Sequence, residues 1–329
     1  MKNFNIVKTA GAVMAASVLL LSCEKNLPET EKLPAGKRIP VEISIPSSGT
    51  RVTEIGDEDR VNHLQVFAFR SDGVLDAYSS ADDSQLVLEC TSGEKKFVAA
   101  VNAPEIDGIQ NLAQLEAVRS ELSDNSTSGF VMSGTASETV SSGNASVEIT
   151  VSRLVARVSV SSITNSLAMP GYSDTPITLK AIYISNVAAD AYYLDAGEPS
   201  SWYNKFGSRN DFPSLLCDDG LNTGISHGSA YDTSHYFYCY ANPTDTDSSE
   251  DTWCPRYTRL VIETVIRNVT YYYPIDLPQI AANHTYDVSE VIITRLGSTD
   301  PDKHVEVGTV SVTIKVKDWE TGNTTEITI

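Results

Sequence analysis

Ile39-Pro-Val-Glu-Ile-Ser-Ile45 places an aliphatic residue at every second position, with Pro, Glu and Ser between them. A period of two sets Ile39, Val41, Ile43 and Ile45 on one face of an extended chain, so the stretch reads as a strand that completes a sheet over a core. The same period recurs near the C-terminus in Val310-Ser-Val-Thr-Ile-Lys-Val316, with Val310, Val312, Ile314 and Val316 on one face. Between these two the signal is overwhelmingly β. Strand-length apolar or alternating runs occur at His63–Phe69, Leu86–Leu88, Lys96–Val101, Val147–Val151, Leu154–Val160, Ile177–Ile184 and Ser234–Tyr240. Further strands are read at Arg259–Val265, Val269–Tyr273 and Tyr286–Ile293, with Ile266-Arg-Asn268 turning a hairpin. Helical periodicity is confined to Asn111–Leu122, where Leu112, Leu115, Val118 and Leu122 share a face and Asn111 suits the N-cap. Many short strands separated by turn residues predict a mainly β protein built of β-sandwich domains.

The first strand stands in unusual company. Lys2 and Lys8 precede an apolar stretch from Ala10 to Leu21 that ends Leu20-Leu-Ser-Cys23. A charged start, a short apolar run and a small residue before a cysteine resemble a bacterial lipoprotein signal, with Cys23 as the residue acylated. The run is shorter than the roughly 20 residues a spanning helix needs. Acylation would anchor the chain to the outer membrane through lipid rather than through a helix. Polar, proline-punctuated sequence follows to Lys37 and reads as a tether. After the strand comes Pro46-Ser-Ser-Gly-Thr50 and then Arg51, an arginine in loop-like sequence. The first strand is therefore anchored on one side and cuttable on the other.

Composition limits the function. The chain carries 43 acidic and 24 basic residues, a net charge of −19, and residues 1–51 are on balance basic, so the remainder is more acidic still. Nucleic acid is a poor partner for such a surface. Cys90, Cys217, Cys239 and Cys254 lack the paired spacing of a zinc site. Cys90 reads as a buried thiol, and the pairing of the other three stays open. No nucleophile elbow, metalloprotease helix, phosphate loop or dinucleotide fingerprint occurs, so no catalytic residue, cofactor or metal is assigned. Asp245–Asp251 reads as a solvated acidic tip. The tyrosines Tyr236, Tyr238, Tyr240 and Tyr271–Tyr273 offer a second reading, an uncleaved surface lipoprotein that binds glycan.

Several stretches, taken in order, resemble one family. Thr50-Arg-Val-Thr-Glu-Ile-Gly-Asp-Glu-Asp-Arg-Val61 followed by the Leu64–Phe69 strand resembles the start of mature FimA-type fimbrillins, the major shaft subunits of type V pili in Bacteroidales. Arg153-Leu-Val-Ala-Arg157 is similar to the basic strand near the end of their first domain. Asn283-His-Thr-Tyr-Asp287 and Val316-Lys-Asp-Trp319 are similar to their closing strands. The resemblance implies an exported lipoprotein cut by an arginine-specific protease, here between Arg51 and Val52. The cut removes the strand bearing Ile39, Val41, Ile43 and Ile45, and a C-terminal strand of a neighbouring subunit fills the vacated groove. The donor face would be Val310, Val312, Ile314 and Val316, with Ile327 and Ile329 in the second half of a donor hairpin.

On this reading residues 1–22 are signal peptide, 23–51 propeptide with tether and first strand, 52–162 an N-terminal β-sandwich domain, and 163–329 a C-terminal β-sandwich domain ending in the donor strand. Both domains would be of transthyretin-like or Greek-key type. The partners implied are further copies in a homopolymer, minor tip and anchor subunits, and a host or bacterial surface receptor. The precursor would reside at the outer membrane and the mature form in an extracellular fimbria.

Overall fold

The computed structural model describes residues 37–46, 58–141, 145–194, 197–245, 252–306, 308–318 and 324–328. The first part of the chain forms β1 (Ile39–Ser44), β2 (Leu64–Arg70), β3 (Leu75–Ala81), β4 (Gln85–Cys90), β5 (Gly93–Val101), helix α1 (Leu112–Glu116), β6 (Arg119–Glu121), β7 (Met132–Val140), β8 (Ala145–Glu148) and β9 (Ser152–Arg153). Next come β10 (Val155–Val160), β11 (Ile163–Asn165), β12 (Ile177–Ser185), β13 (Val187–Ala188), β14 (Asp190–Tyr192), β15 (Trp202–Tyr203), helix α2 (Pro213–Leu216), β16 (Cys217–Asp218), β17 (Thr223–Ile225) and β18 (Ala230–Tyr231). The chain closes with β19 (His235–Tyr240), β20 (Arg259–Ile266), β21 (Val269–Asp276), β22 (His284–Ile293), β23 (Val310–Asp318) and β24 (Thr324–Thr328). Among the described residues no helix is long and apolar enough to cross a membrane.

Two sheets carry the first part. One has the order β4-β1-β8 and the other β3-β2-β5-β7-β9. They enclose a core to which β1 gives Ile39, Val41, Ile43 and Ile45, β4 gives Leu86, Leu88 and Cys90, and the facing sheet gives Leu64, Val66, Phe97 and Val101. The opposite face of that larger sheet is buried too. Phe67, Phe69, Val98 and Ala100 enter a second core shared with the remaining strands, which is why β2 is apolar almost throughout rather than alternating. The second part pairs a sheet β18-β11-β22-β10-β19, extended by β23 and β24, with a sheet β16-β12-β20-β21 to which β17 is added.

Two elements differ from the sequence expectation. The strand at Val155–Val160, assigned from sequence to the first domain, hydrogen-bonds with β19 and β22 and so lies in the second set of sheets. The changeover falls just after Arg153, before rather than after that strand, because its neighbours come from far along the chain and local sequence cannot announce them. The helix is also shorter than its periodicity suggests. Asn111 caps it, its Oδ1 accepting from Gln114 N at 3.0 Å, yet α1 stops at Glu116. Arg119–Glu121 is drawn into pairing with β14, and Arg119 binds Asp190 at 2.7 Å. A tertiary strand partner outweighs the modest propensity of a helix this short.

The predicted hairpin of β20 and β21 is present, with Arg267 and Asn268 both at positive φ as a tight primed turn requires. Cys90, Cys217, Cys239 and Cys254 are all free thiols, so no pairing among the last three occurs. Most of the acidic Asp245–Asp251 tip lies outside the described residues.

Candidate functional site: the slot of the first strand

β1 is the middle strand of its sheet. It runs antiparallel to β4, with Ile39 opposite Cys90, Val41 opposite Leu88 and Ile43 opposite Leu86, and parallel to β8, with Val41 opposite Ala145 and Ile43 opposite Val147. Val41 and Ile43 are essentially inaccessible to solvent, Ile39 and Ile45 are buried, and Pro40 and Glu42 face outward. A proline is tolerated here because, among the described residues, the β8 ladder begins at Val41, so none of them pairs across to the missing N–H. Taking β1 away would leave β4 and β8 with unpaired edges on either side of an apolar trough.

Both ends of the slot are polar. Arg38 reaches from the N-terminal end of β1 and donates through Nη1 to the carbonyls of Asp76 and Glu89, both at 2.9 Å. Beneath it a buried ion pair joins Lys95 Nζ and Asp76 at 3.7 Å, and Asp76 also accepts from Thr91 N and Oγ1 at 2.7 and 2.8 Å. Burial pushes the neighbouring Cys90 thiol up to about 12. At the other end Ile45 N donates to Ser84 O at 2.9 Å and Ser44 O accepts from Ile149 N at 3.0 Å.

At Glu58 the chain is clamped. The Glu58 carboxylate, buried from solvent, accepts from Arg157 Nη1 at 3.0 Å and from the Tyr238 hydroxyl at 2.6 Å. Arg153 pairs with Asp59, donates to the Glu58 carbonyl at 3.4 Å, and donates to Asn283 at 3.3 Å. Burial, and then the Glu58 carboxylate, raise the Tyr238 phenol above its ordinary range. Sequence reading singled out Arg153 and Arg157 only as a basic strand. It missed that they grip the acidic turn beyond Arg51, although that turn and the two arginines were each visible as charge signals.

The C-terminal strand does not stand free. β23 lies against β22 in the chain's own sheet, with Val291 opposite Val312 and Val288 opposite Ile314, and β24 covers its outer edge. Val312 and Ile314 are fully buried in the second core, while Val310 and Val316 are half-buried. Ile327 is opposite Ile314 in the ladder of β24. Cys23, Arg51, Val52 and Ile329 lie outside the described residues. The tyrosines do not form one surface. Tyr238, Tyr240 and Tyr273 are buried, the last donating to Arg295 O at 3.0 Å and Tyr240 to Glu121 O at 3.1 Å. Those three hydroxyls serve the interior, which removes half of the proposed sugar-binding face.

Residues 40–169 match the family model of the major fimbrial subunit protein FimA. Over that segment the chain is FimA-like. The fold agrees along most of the length. A fimbrilin (FimA) from Porphyromonas gingivalis superposes with a TM-score of 0.62 at 16% identity, covering 86% of this chain and 98% of that one. A candidate cell adhesion protein from Bacteroides eggerthii gives 0.67 at 19% identity, covering 88% and 98%. The tip fimbrial protein Mfa3 from Porphyromonas gingivalis, with C-terminal truncation, gives 0.54 at 14% identity, covering 86% and 100%. No curated protein sequence matches. The FimA-like segment contains the whole slot: β1 from Pro40 onward, β4 and β8. The family is one of structural fimbrial subunits of the cell surface rather than of enzymes.

Proposed function

We propose that the chain is a shaft-type pilus subunit, exported as a lipoprotein acylated at Cys23, cut between Arg51 and Val52 by an arginine-specific protease, and polymerised by strand exchange. The observation that carries this reading is the position of β1. β1 is the middle strand of its sheet, and the stretch that leads from it to β2 contains Arg51. Cleavage there would leave it held by non-covalent contacts alone, while the clamp at Glu58 would keep the new N-terminus on the body of the protein.

Filling the opened slot is favourable, and that gain is set against the contacts with β22 that a donor strand gives up. Four buried aliphatic side chains are worth roughly 6–12 kcal/mol, at about 1.5–3 each. A neighbour's Val310–Val316 strand offers the same four-fold face. In its own sheet that strand buries Val312 and Ile314 fully but Val310 and Val316 only by half. Completing the burial of those two adds about 1.5–3 kcal/mol. The slot also supplies a polar ladder on each side, as strand addition to a sheet generally does. Head-to-tail addition of this kind does not close on itself and so grows a filament. Copies of the chain, tip and anchor subunits, and a surface receptor are its partners in this scheme, with the outer membrane holding the precursor.

Replacing Arg51 by Ala tests the cleavage step. The variant is expected to accumulate as lipidated monomer without polymer ladders, and N-terminal sequencing of wild-type surface material is expected to begin at Val52. Normal fibres from the variant, or an acyl-Cys23 start in shed fibres, would overturn the proposal.

A further inference from the structure

A neighbour's Val310–Val316 strand can enter the slot of β1 in two directions, and the side chains on its outward face tell them apart. The apolar face fixes the register. Val310, Val312, Ile314 and Val316 must take the four positions of Ile39, Val41, Ile43 and Ile45, because a shift of two residues either way seats Asp318 or Gly308 in the core. The outward residues are then Ser311, Thr313, Lys315 and Lys317. Entered along the course of β1, they stand where Pro40, Glu42, Ser44 and Pro46 stand now. Entered in reverse, Lys317 takes the place of Arg38, Lys315 that of Pro40 and Ser311 that of Ser44.

The two ends of the slot differ in charge. Ser44 lies opposite Gln85 of β4 and Glu148 of β8, and the exposed Glu148 pairs with no cation among the described residues. Just beyond, a cavity of about 490 Å³ opens beside Ile45 and Pro46, with Asp59, Asp82, Asp83 and Arg153 in its lining. Arg153 is taken up by Asp59, and Asp82 is met by His63 at 2.7 Å. Among the described residues Asp83 reaches only Ser84, accepting from its N–H at 2.6 Å and its hydroxyl at 3.3 Å. The other end offers Glu89, opposite Pro40, while Asp76 there is already matched by the buried Lys95 ammonium at 3.7 Å.

β23 is also longer than β1, nine residues against six, so its surplus overruns one end. Along the course of β1 the overrun sets Lys317 on the wall of the acidic cavity and Lys315 between Gln85 and Glu148. In reverse it sets Lys317 over the Lys95–Asp76 pair and leaves Ser311 facing Glu148. That arrangement returns a cation to the two carbonyls that Arg38 serves, which restores hydrogen bonds but not charge balance. In their own sheet the same lysines already face carboxylates. Lys317 binds Asp287 at 2.9 Å, and Lys315 stands between Asp287 and Glu326 in the two ladders. Entry along β1 therefore exchanges one acidic setting for another.

We propose that the donor strand enters along the course of β1, antiparallel to β4 and parallel to β8, with Lys315 set against Glu148 and Lys317 in the Asp59–Asp82–Asp83 cavity. The inference rests on the strand-exchange reading and adds to it the polarity of the joint, selected by charge on the outward face.

Engineered cysteines in the full-length chain read the direction. Ser311→Cys is combined with Glu89→Cys in one variant and with Gln85→Cys in another. Each is cut with a trypsin-like protease, polymerised, oxidised and boiled in detergent with and without reductant. Glu89 faces Pro40 and Gln85 faces Ser44, so the first variant is expected to give ladders that survive boiling until reduced, and the second at least tenfold less. Locking by the second alone, or equally by both, would overturn the direction and leave strand exchange standing. Locking by neither in fibres that do form would overturn both. A charge swap without cysteines gives an independent reading. Lys315→Glu is expected to cut polymer several-fold, and Glu148→Lys added to it to restore the yield. Rescue by Glu89→Lys instead, or by neither, would overturn the inference.

Discussion

At the scale of single residues, the face of β1 behaves unlike any other part of the core, because on the proposed pathway it leaves. Ile43→Ala removes a fully buried side chain between Leu86 and Val147. It is expected to lower the stability of the uncut precursor by about 2–5 kcal/mol and to leave the mature subunit unchanged; urea titration of both forms checks this. Tyr238→Phe makes the contrasting case. It deprives the buried Glu58 carboxylate of a 2.6 Å donor that belongs to the mature chain, so precursor and mature forms are each expected to lose about 1–3 kcal/mol. Equal effects of the two substitutions on the mature form would contradict the excision of β1.

The thiols add a pH signature. Cys90 and Cys239 are held at about 12 by burial, above the ordinary value near 9. The unfolded chain ionises first as pH rises, so stability is fully present below pH 9 and falls between about 9 and 12. Thermal melts across that range are expected to show the decline. Cys90 lies directly opposite Ile39, so a thiol reagent at pH 8 is expected to label it slowly in the precursor and faster in cut protein whose slot is empty.

At the scale of elements, alternation made β1 and β23 recognisable, and it could not say what either strand pairs with. A period of two specifies one buried face but no partner. The C-terminal strand illustrates the gap. Sequence reading treated it only as a donor, whereas Val312 and Ile314 fill the chain's own core against β22. Deleting Val305–Ile329 is therefore expected to destabilise the body of the protein as well as to stop assembly, with a drop in melting temperature as the readout. The truncated helix at α1 makes the same point from the other side. Its periodicity was real, but Arg119–Glu121 found a better partner in β14.

At the scale of the whole molecule, the slot and the donor are both occupied within one chain, one by the segment before Arg51 and the other by the subunit's own sheet. On the proposed scheme such a precursor polymerises only once the slot of one copy has been emptied and the Val310–Val316 strand of another has left its own sheet. On that scheme cleavage empties the slot, and the released edges of β4 and β8 then compete for the strand. Mixing cut subunits with an excess of a synthetic peptide spanning Val310–Val316 is expected to cap the slots and shorten the ladders several-fold, whereas the same peptide added to uncut precursor is expected to do nothing. The difference follows from competition: in the precursor the tethered β1 is always at high effective concentration.

The sequence by itself determined the β class, the amphipathic faces of the first and last strands, the signal-like N-terminus and the arginine that follows the first strand, because each is written in local periodicity or local charge. Only the tertiary structure decided that β1 is a central strand, that Arg153 and Arg157 close on Glu58 and Asp59, that three of the six clustered tyrosines point inward, and that β23 is stored at home against β22. Those facts depend on pairings between residues far apart in the chain. Their energy comes from burial and hydrogen bonds that exist only once the distant partners have met.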